Sequence, residues 1–268
     1  MSYGLLRGKK GLITGVLDER SIAWHVARRA HEEGASLVLT NAPVALRLGQ
    51  TAELAKRLSA PLFPADLTQI SDIEKLYAQT LDHFGGPIDF LLHSVGMSPN
   101  IRKGKAYPEL DYEFYWKTLD VSAVSLHKLL QIGRARGAFA RGASIVALSY
   151  IAAQRVFPRY GDMSDAKALL ESIARLFGYF LGRELGARVN IVSQSPTPTT
   201  AGTGIAGFQE MYDYANRMSP LGNASAEACA DFIVALFSDL TRAITMQTIY
   251  HDGGFSMMGI AEDLLRNG

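Results

Sequence analysis

The 268-residue sequence has one cysteine, Cys229. It can therefore form no internal disulfide; a disulfide-stapled framework is excluded and a reducing compartment is expected. An excess of either charge is missing as well. Lys and Arg number 27 against 26 Asp and Glu, a net +1 with histidine neutral. So even a balance gives no general field for gripping nucleic acid or an anionic membrane. No apolar run approaches the roughly 18 residues that cross a bilayer. The opening Met-Ser-Tyr-Gly-Leu-Leu-Arg-Gly-Lys-Lys holds no signal-peptide h-region. These absences predict a cytoplasmic protein with neither nucleic acid nor membrane as partner. Internal repeats, low-complexity tracts and shifts of composition are missing too, so residues 1–268 are expected to form one domain. The six histidines, His25, His31, His83, His93, His127 and His251, show no metal-ligand spacing, and no metal is expected. Cys229 reads as packing within a helix.

What is present is a regular alternation. Apolar runs at 11–16, 36–40, 61–65, 88–95, 143–149, 188–193 and 248–251 read as strands. Helical spacing fills 21–33, where Ile22, Val26, Ala27 and Ala30 share a face, then 44–58, 70–84, 112–136, 162–185 and 226–238. This pattern predicts an α/β fold: a single doubly wound, Rossmann-type parallel sheet with helices on both faces. Residues 193–207, rich in Pro, Thr, Ser and Gly, are the one long irregular stretch and predict a functional loop or lid.

A doubly wound sheet binds its ligand at the carboxyl ends of its strands. The first strand ends at Thr14-Gly15 and the next helix begins near Ser21, a good N-cap, so a pyrophosphate there would meet free N–H groups. The usual G-x-G-x-x-G is absent; Gly15 alone is present. Asp66, in Phe-Pro-Ala-Asp-Leu, can accept from an adenine amino group or cap the following helix. Ser94-Val95-Gly96 can pass close to a nicotinamide ribose or simply leave the sheet. The second strand ends Thr40-Asn41-Ala42-Pro43, without the acid that usually holds a ribose 2′-OH. Arg47 can approach a 2′-phosphate or stand solvated on its helix, so these residues leave NADH and NADPH both open.

Tyr160 and Lys167 are seven apart, which returns to within about 20° of the same helix face. A tyrosine just ahead of a helix and a lysine two turns in can point into one cleft. The lysine would favour an ionised or strongly donating phenol and can hold ribose hydroxyls.

Over essentially its whole length the sequence resembles the short-chain dehydrogenase/reductase superfamily, and within it the bacterial enoyl-acyl carrier protein reductases of type II fatty acid synthesis. The carrying residues are Gly15-x5-Ser21-Ile22-Ala23-Trp24, Asp66-Leu67, His93-Ser94-Val95-Gly96, Leu148-Ser149-Tyr150 and Tyr160-x6-Lys167. Val189-Asn190 and His251-Asp252-Gly253-Gly254-Phe255 extend the resemblance. Similar ketone and alcohol reductases carry Tyr-x3-Lys; here the residue four after Tyr160 is Ser164.

The resemblance implies NADH as cofactor and a trans-2-enoyl thioester on acyl carrier protein as substrate. It places Gly15, Ser21 and Ile22 at the pyrophosphate, Asp66 and Leu67 at the adenine and Val95 beside the nicotinamide. Lys167 would hold the nicotinamide ribose. Thr197, Pro198, Thr199, Thr200 and Ala201 would touch the nicotinamide and begin a lid over 195–218, with Ser98 at the substrate mouth. Tyr160 would donate to the thioester oxygen and Tyr150 would align the thioester. Ile205, Phe208, Met211 and Tyr212 suit an acyl chain or an amphipathic helix packed on the core. The basic stretch 101–105 offers a landing place for an acidic carrier, or a solvated loop. Ala42 stands where relatives often place a polar or basic residue, and Gln194-Ser195-Pro196 where many read Ala-Gly-Pro. A homotetramer is implied, with the helices at 112–136 and 162–185 as interfaces. Two other readings remain: a ketoreductase or alcohol dehydrogenase of the wider superfamily, and a non-catalytic dinucleotide-sensing protein on the same fold.

Overall fold

The computed structural model describes residues 2–200, 202–205 and 207–262. The chain runs β1 (Lys10–Thr14), α1 (Ile22–Glu32), β2 (Ser36–Thr40), α2 (Pro43–Leu48), α3 (Thr51–Arg57), α4 (Ile70–Phe84) and β3 (Ile88–His93). It continues α5 (Pro99–Arg102), α6 (Tyr112–Leu119), a π-helical segment Asp120–Val124, α7 (Ser125–Ala135), β4 (Phe139–Ser149) and α8 (Asp162–Leu185). β5 (Arg188–Gln194), α9 (Phe208–Met218), α10 (Ala226–Phe237) and β6 (Thr248–His251) complete the order. All neighbouring strands are parallel, in the order β2-β1-β3-β4-β5-β6. The order reverses between β1 and β3, which makes the gap outside their carboxyl ends the expected ligand crevice.

Both faces are covered, as the near-continuous apolar strands require. On one face Trp24, Val26 and Ala30 of α1 and Ile233, Val234 and Phe237 of α10 are buried against Ile13, Leu39 and Phe90. The Phe90 and Phe237 rings stack at 4.5 Å. On the other, Ile73 and Tyr77 of α4, Leu126 and Leu130 of α7, and Leu170 and Ile173 of α8 pack on Leu12, Leu91 and Ile145. Helices α4 and α8 each stop at a left-handed glycine, Gly85 and Gly186.

Three elements differ from their sequence pattern. The run at 61–65 forms no strand; it touches β2 through one bridge, Leu39 to Leu62. Pro61 and Pro64 lack the N–H groups a ladder needs. The helix expected over 44–58 is broken between α2 and α3, where Gln50 N donates to the Leu17 carbonyl (2.8 Å) and Thr51 Oγ1 to the Val16 carbonyl (2.7 Å). The break docks the turn that follows β1. The long helix expected over 112–136 contains the π turn Asp120–Val124, a rearrangement often found at functional sites.

Candidate active site

At the crevice between β1 and β3, Gly15 has φ +87°, and a Cβ there would overlap the Ser94 carbonyl. Only glycine permits this approach. Gly15 N donates to the Thr40 carbonyl (3.0 Å) and Ser94 N to Thr14 Oγ1 (3.2 Å), so the ends of β1, β2 and β3 are fastened together. Ser21 occupies the N-cap of α1, but its hydroxyl does not cap. It donates to the Asp18 carbonyl (2.6 Å). The first N–H groups of α1 are thus left without a side-chain cap, and an anion beside Ile22 would meet them. The Asp66 carboxylate caps its own turn, accepting from Thr68 N and Oγ1 (2.9 and 2.7 Å); the capping residue of α4 is Gln69. Leu67 is buried in the core beneath α4. Arg47 is exposed on α2.

Tyr150 and Tyr160 meet with ring centroids 5.0 Å apart, and Phe157 lies 5.1 Å from Tyr150. Burial pushes both tyrosines above their ordinary range. At neutral pH they are therefore protonated, which favours the donating phenol over the ionised one. Tyr160 closes a 3-10 turn, Pro158–Tyr160, and Gly161 (φ +48°, ψ −137°) separates it from α8. The seven-residue helical period therefore does not join Tyr160 to Lys167; the glycine turn sets their relation. Lys167 Nζ donates to the Leu148 carbonyl (2.8 Å), two residues before Tyr150. Desolvation lowers its ammonium to about 8, opposed by the charge of Glu171. Glu171 accepts from Ser149 Oγ (2.8 Å) and Gln154 Nε2 (3.0 Å). His93 is brought down to about 3 by burial first and by Lys167 second, and is neutral. A Cβ on Gly96 would lie 3.4 Å from Met163 Cε and 3.9 Å from Lys167 Nζ, so the backbone after β3 runs beside the lysine.

The remaining expected residues ring this centre. Val95 is half-buried. Ser98 is buried, capping α5 through Ile101 N (3.0 Å) and donating to Asp162 Oδ1 (2.6 Å). Thr197 Oγ1 donates to the Ser195 carbonyl (3.0 Å), Pro198 is exposed, and Thr199 Oγ1 accepts from Gly202 N (3.0 Å). Thr200 bonds Asp18 and accepts from Arg20 Nη2 (2.7 Å), which carries the segment after β5 across the turn after β1. Ala201 lies outside the described residues. Ser195 Oγ accepts from Ala224 N (3.0 Å). In α9, Phe208 is buried while Met211 packs against the Tyr150 cluster.

Among the described residues four buried hydroxyls have no hydrogen-bond partner: Thr40 Oγ1, Thr80 Oγ1, Tyr150 OH and Ser193 Oγ. Buried polar groups are nearly always bonded, so each has a bond to give. Thr80 lies within α4; the other three sit at or just beyond a strand's carboxyl end. With the Gly15 cradle and the open α1 terminus they fit a dinucleotide and an oxygen-bearing substrate. Sequence reasoning missed Ser122, whose hydroxyl in the π turn accepts from Met97 N (3.0 Å), and Asp162, which looks like an ordinary first-turn acid.

A family model described as enoyl-(acyl carrier protein) reductase matches residues 15–256. The enoyl-acyl-carrier-protein reductase (NADH) FabI of Neisseria meningitidis is 35% identical over 265 residues, covering 97% of this chain and 99% of the relative. The Aquifex aeolicus protein of the same description is 34% identical over 263 residues, covering 96% and 94%. Among solved structures, the FabI–NADH complex from Alistipes finegoldii is 57% identical with a TM-score of 0.98, covering 99% of this chain and 94% of that one.

Proposed function

The chain belongs to the enoyl-(acyl carrier protein) reductase family, and from that membership we propose how its own residues carry the reaction. It is an oxidoreductase that uses NADH to reduce trans-2-enoyl-acyl carrier protein thioesters, the last step of the fatty acid elongation cycle. NADH supplies hydride to the β-carbon, and a proton completes the α-carbon.

Gly15, Ser21 and Ile22 receive the pyrophosphate, and Asp66 and Leu67 border the adenine. Val95 flanks the nicotinamide with Thr197, Pro198, Thr199, Thr200 and Ala201. Lys167 holds the nicotinamide ribose and adds positive potential. Hydride addition drives charge onto the thioester oxygen. Tyr160 donates a hydrogen bond to that oxygen, where binding strengthens as charge grows. Tyr150 aligns the thioester, Ser98 shapes its mouth, and 195–218 close over the acyl chain. One observation carries this reading. The Tyr150 hydroxyl is buried and unpartnered, ring to ring with Tyr160, two residues from the carbonyl that anchors Lys167.

The test is NADH oxidation by purified protein against a 2-enoyl and, separately, a 3-keto thioester. Turnover of the enoyl substrate, falling about a hundredfold or more in Tyr160→Phe, is expected. Turnover of the keto substrate alone overturns it.

The proposal extends to assembly and place. Apolar side chains stand exposed on α8 (Leu176, Tyr179, Phe180) and near the β6 edge (Ile244, Met257), two separate faces that suit a homotetramer. A cytoplasmic location fits the NADH requirement and the lone, buried Cys229 thiol. Among the described residues no helix is long and apolar enough to cross a membrane. All of residues 1–268 are taken to serve one reductase domain.

A further inference from the structure

Asp162 is fully buried, with none of its surface exposed. Among the described residues it forms no ion pair. Its carboxylate is instead surrounded by neutral donors from two other segments. Oδ1 accepts from Ser98 Oγ (2.6 Å); Oδ2 accepts from Asn100 Nδ2 (2.9 Å) and faces Thr118 Oγ1 (2.8 Å). The proton count constrains these bonds. Ser98 Oγ already accepts from Ile101 N, so its own proton goes to Asp162. Asn100 uses its second N–H on the Asp111 carbonyl (3.1 Å) and its oxygen on Asp111 N (3.1 Å). Thr118 has one proton and two acceptors, Asp162 and the Phe114 carbonyl (2.8 Å). A buried carboxylate without a cation costs several kcal/mol of desolvation, and an apolar residue of similar size would fill the place more cheaply.

What the carboxylate joins is specific. Ser98 and Asn100 belong to the turn after β3, Thr118 to α6, and Asp162 to the first turn of α8. Tyr160 is two residues away, and the link between them is Gly161, a residue with no side chain to fix its torsions. On its other side Tyr160 is held by its N–H to the Phe157 carbonyl (2.9 Å). Without an anchor just past the glycine, the Tyr150 ring contact and the Phe157 bond would hold the phenol on its own side, and nothing would fix it against the turn after β3. We infer that Asp162 is a positioning residue, fixing Tyr160 against the Ser98–Ile101 turn through its hydrogen bonds to Ser98, Asn100 and Thr118.

The inference rests on Tyr160 as the oxygen donor, so Tyr160→Phe is measured beside it in the full-length protein. In Asp162→Asn an amide N–H replaces an acceptor and opposes the Asn100 amide. The expected result is a kcat lower by about ten- to a hundredfold, the cost of a small misplacement, with the dissociation constant for NADH unchanged by fluorescence titration. Should Asp162→Asn fail to fold, Thr118→Val removes one donor at constant volume and should lower kcat at unchanged NADH affinity. Unchanged kcat in these variants while Tyr160→Phe is inactive overturns the inference. So does NADH affinity that falls in step with kcat. Full activity in Tyr160→Phe would remove the reading beneath it instead.

Discussion

Burial lowers the Lys167 ammonium to about 8 while its ordinary value is 10.5. Two consequences of opposite sign follow for this residue. The cation proposed to hold the ribose and add potential is present below about pH 8 and lost above it. The free-enzyme profile, kcat/KM against pH, should therefore fall through a limb near 8. Stability runs the other way. Between about 8 and 10.5 the unfolded chain binds a proton here that the folded chain does not, so this residue's contribution rises with pH across that window. At pH 7 the unfavourable burial amounts to about 3 kcal/mol. Lys167→Met is expected to lose the pH limb and at least about tenfold in kcat/KM. It should raise Tm by several degrees, because Glu171 keeps its bonds to Ser149 and Gln154. A lower Tm would show that the Leu148 carbonyl and Glu171 need the ammonium more than burial penalises it. Gly15 makes the complementary case. In Gly15→Ala the new Cβ meets the Ser94 carbonyl at a φ that L-residues avoid. A loss of about 1–3 kcal/mol by thermal melting and a raised KM for NADH are expected; wild-type values of both would mean that the β1–β3 crevice adjusts freely. Gly15 and the two tyrosines were legible as residues because a strand end or a fixed spacing marked them. Asp162 was not, since an acid in a first helical turn has the ordinary role of complementing the helix dipole.

The elements that periodicity located well are those ended by their own chemistry. Helices α4 and α8 run from Ile70 to Phe84 and from Asp162 to Leu185 as their apolar spacing indicates, each stopped by a left-handed glycine. The elements it misread are governed by partners distant in sequence. Nothing local in 44–58 announces that Gln50 and Thr51 will bond the carbonyls after β1. Nothing in 112–136 announces that Ser122 must turn its hydroxyl to Met97, which the π turn achieves by one extra residue. The run at 61–65 has a strand's apolarity, but two prolines stop its ladder. For α9 the sequence left an acyl lining and a packed amphipathic helix both open, and the structure shows core packing on one side and contact with the tyrosine cluster on another. Phe208, Ala215 and Met218 are buried, while Met211 packs on the Tyr150–Tyr160 cluster. Met211→Ala should therefore shift chain-length preference toward longer or bulkier enoyl thioesters with the KM for NADH unchanged. Kinetics across a series of acyl lengths would detect it, and an unaltered series would return Met211 to packing alone.

At the scale of the whole molecule, apolar surface remains in two places that none of the described helices covers. On the outer side of α7 and α8 a groove is lined by His127, Ile173, Leu176, Phe177 and Phe180. Leu176 is 61% exposed and Phe180 54%. At the other side of the sheet, among the described residues, β6 pairs only with β5, and Ile244, Ile249 and Met257 border a concavity beside it. Exposed apolar patches of this kind mark interfaces, and an edge strand left open invites pairing. A two-fold contact uses the same patch on both copies, so one patch makes a dimer and no more. Two distinct patches, each closing on itself, give a dimer of dimers, which is how this chain would reach the proposed tetramer. The two contacts should then fail separately. Phe180→Glu places a charge in the α7–α8 groove and is expected to yield dimers by light scattering, held by the β6 side. Met257→Glu should also yield dimers, held by α7–α8, and the double variant monomers. Neither position touches Tyr150, Tyr160 or Lys167, so NADH binding should survive in the dimers. A Phe180→Glu protein that remains tetrameric would exclude the α8 face as an interface, and monomers from either single change would mean that one patch holds every contact.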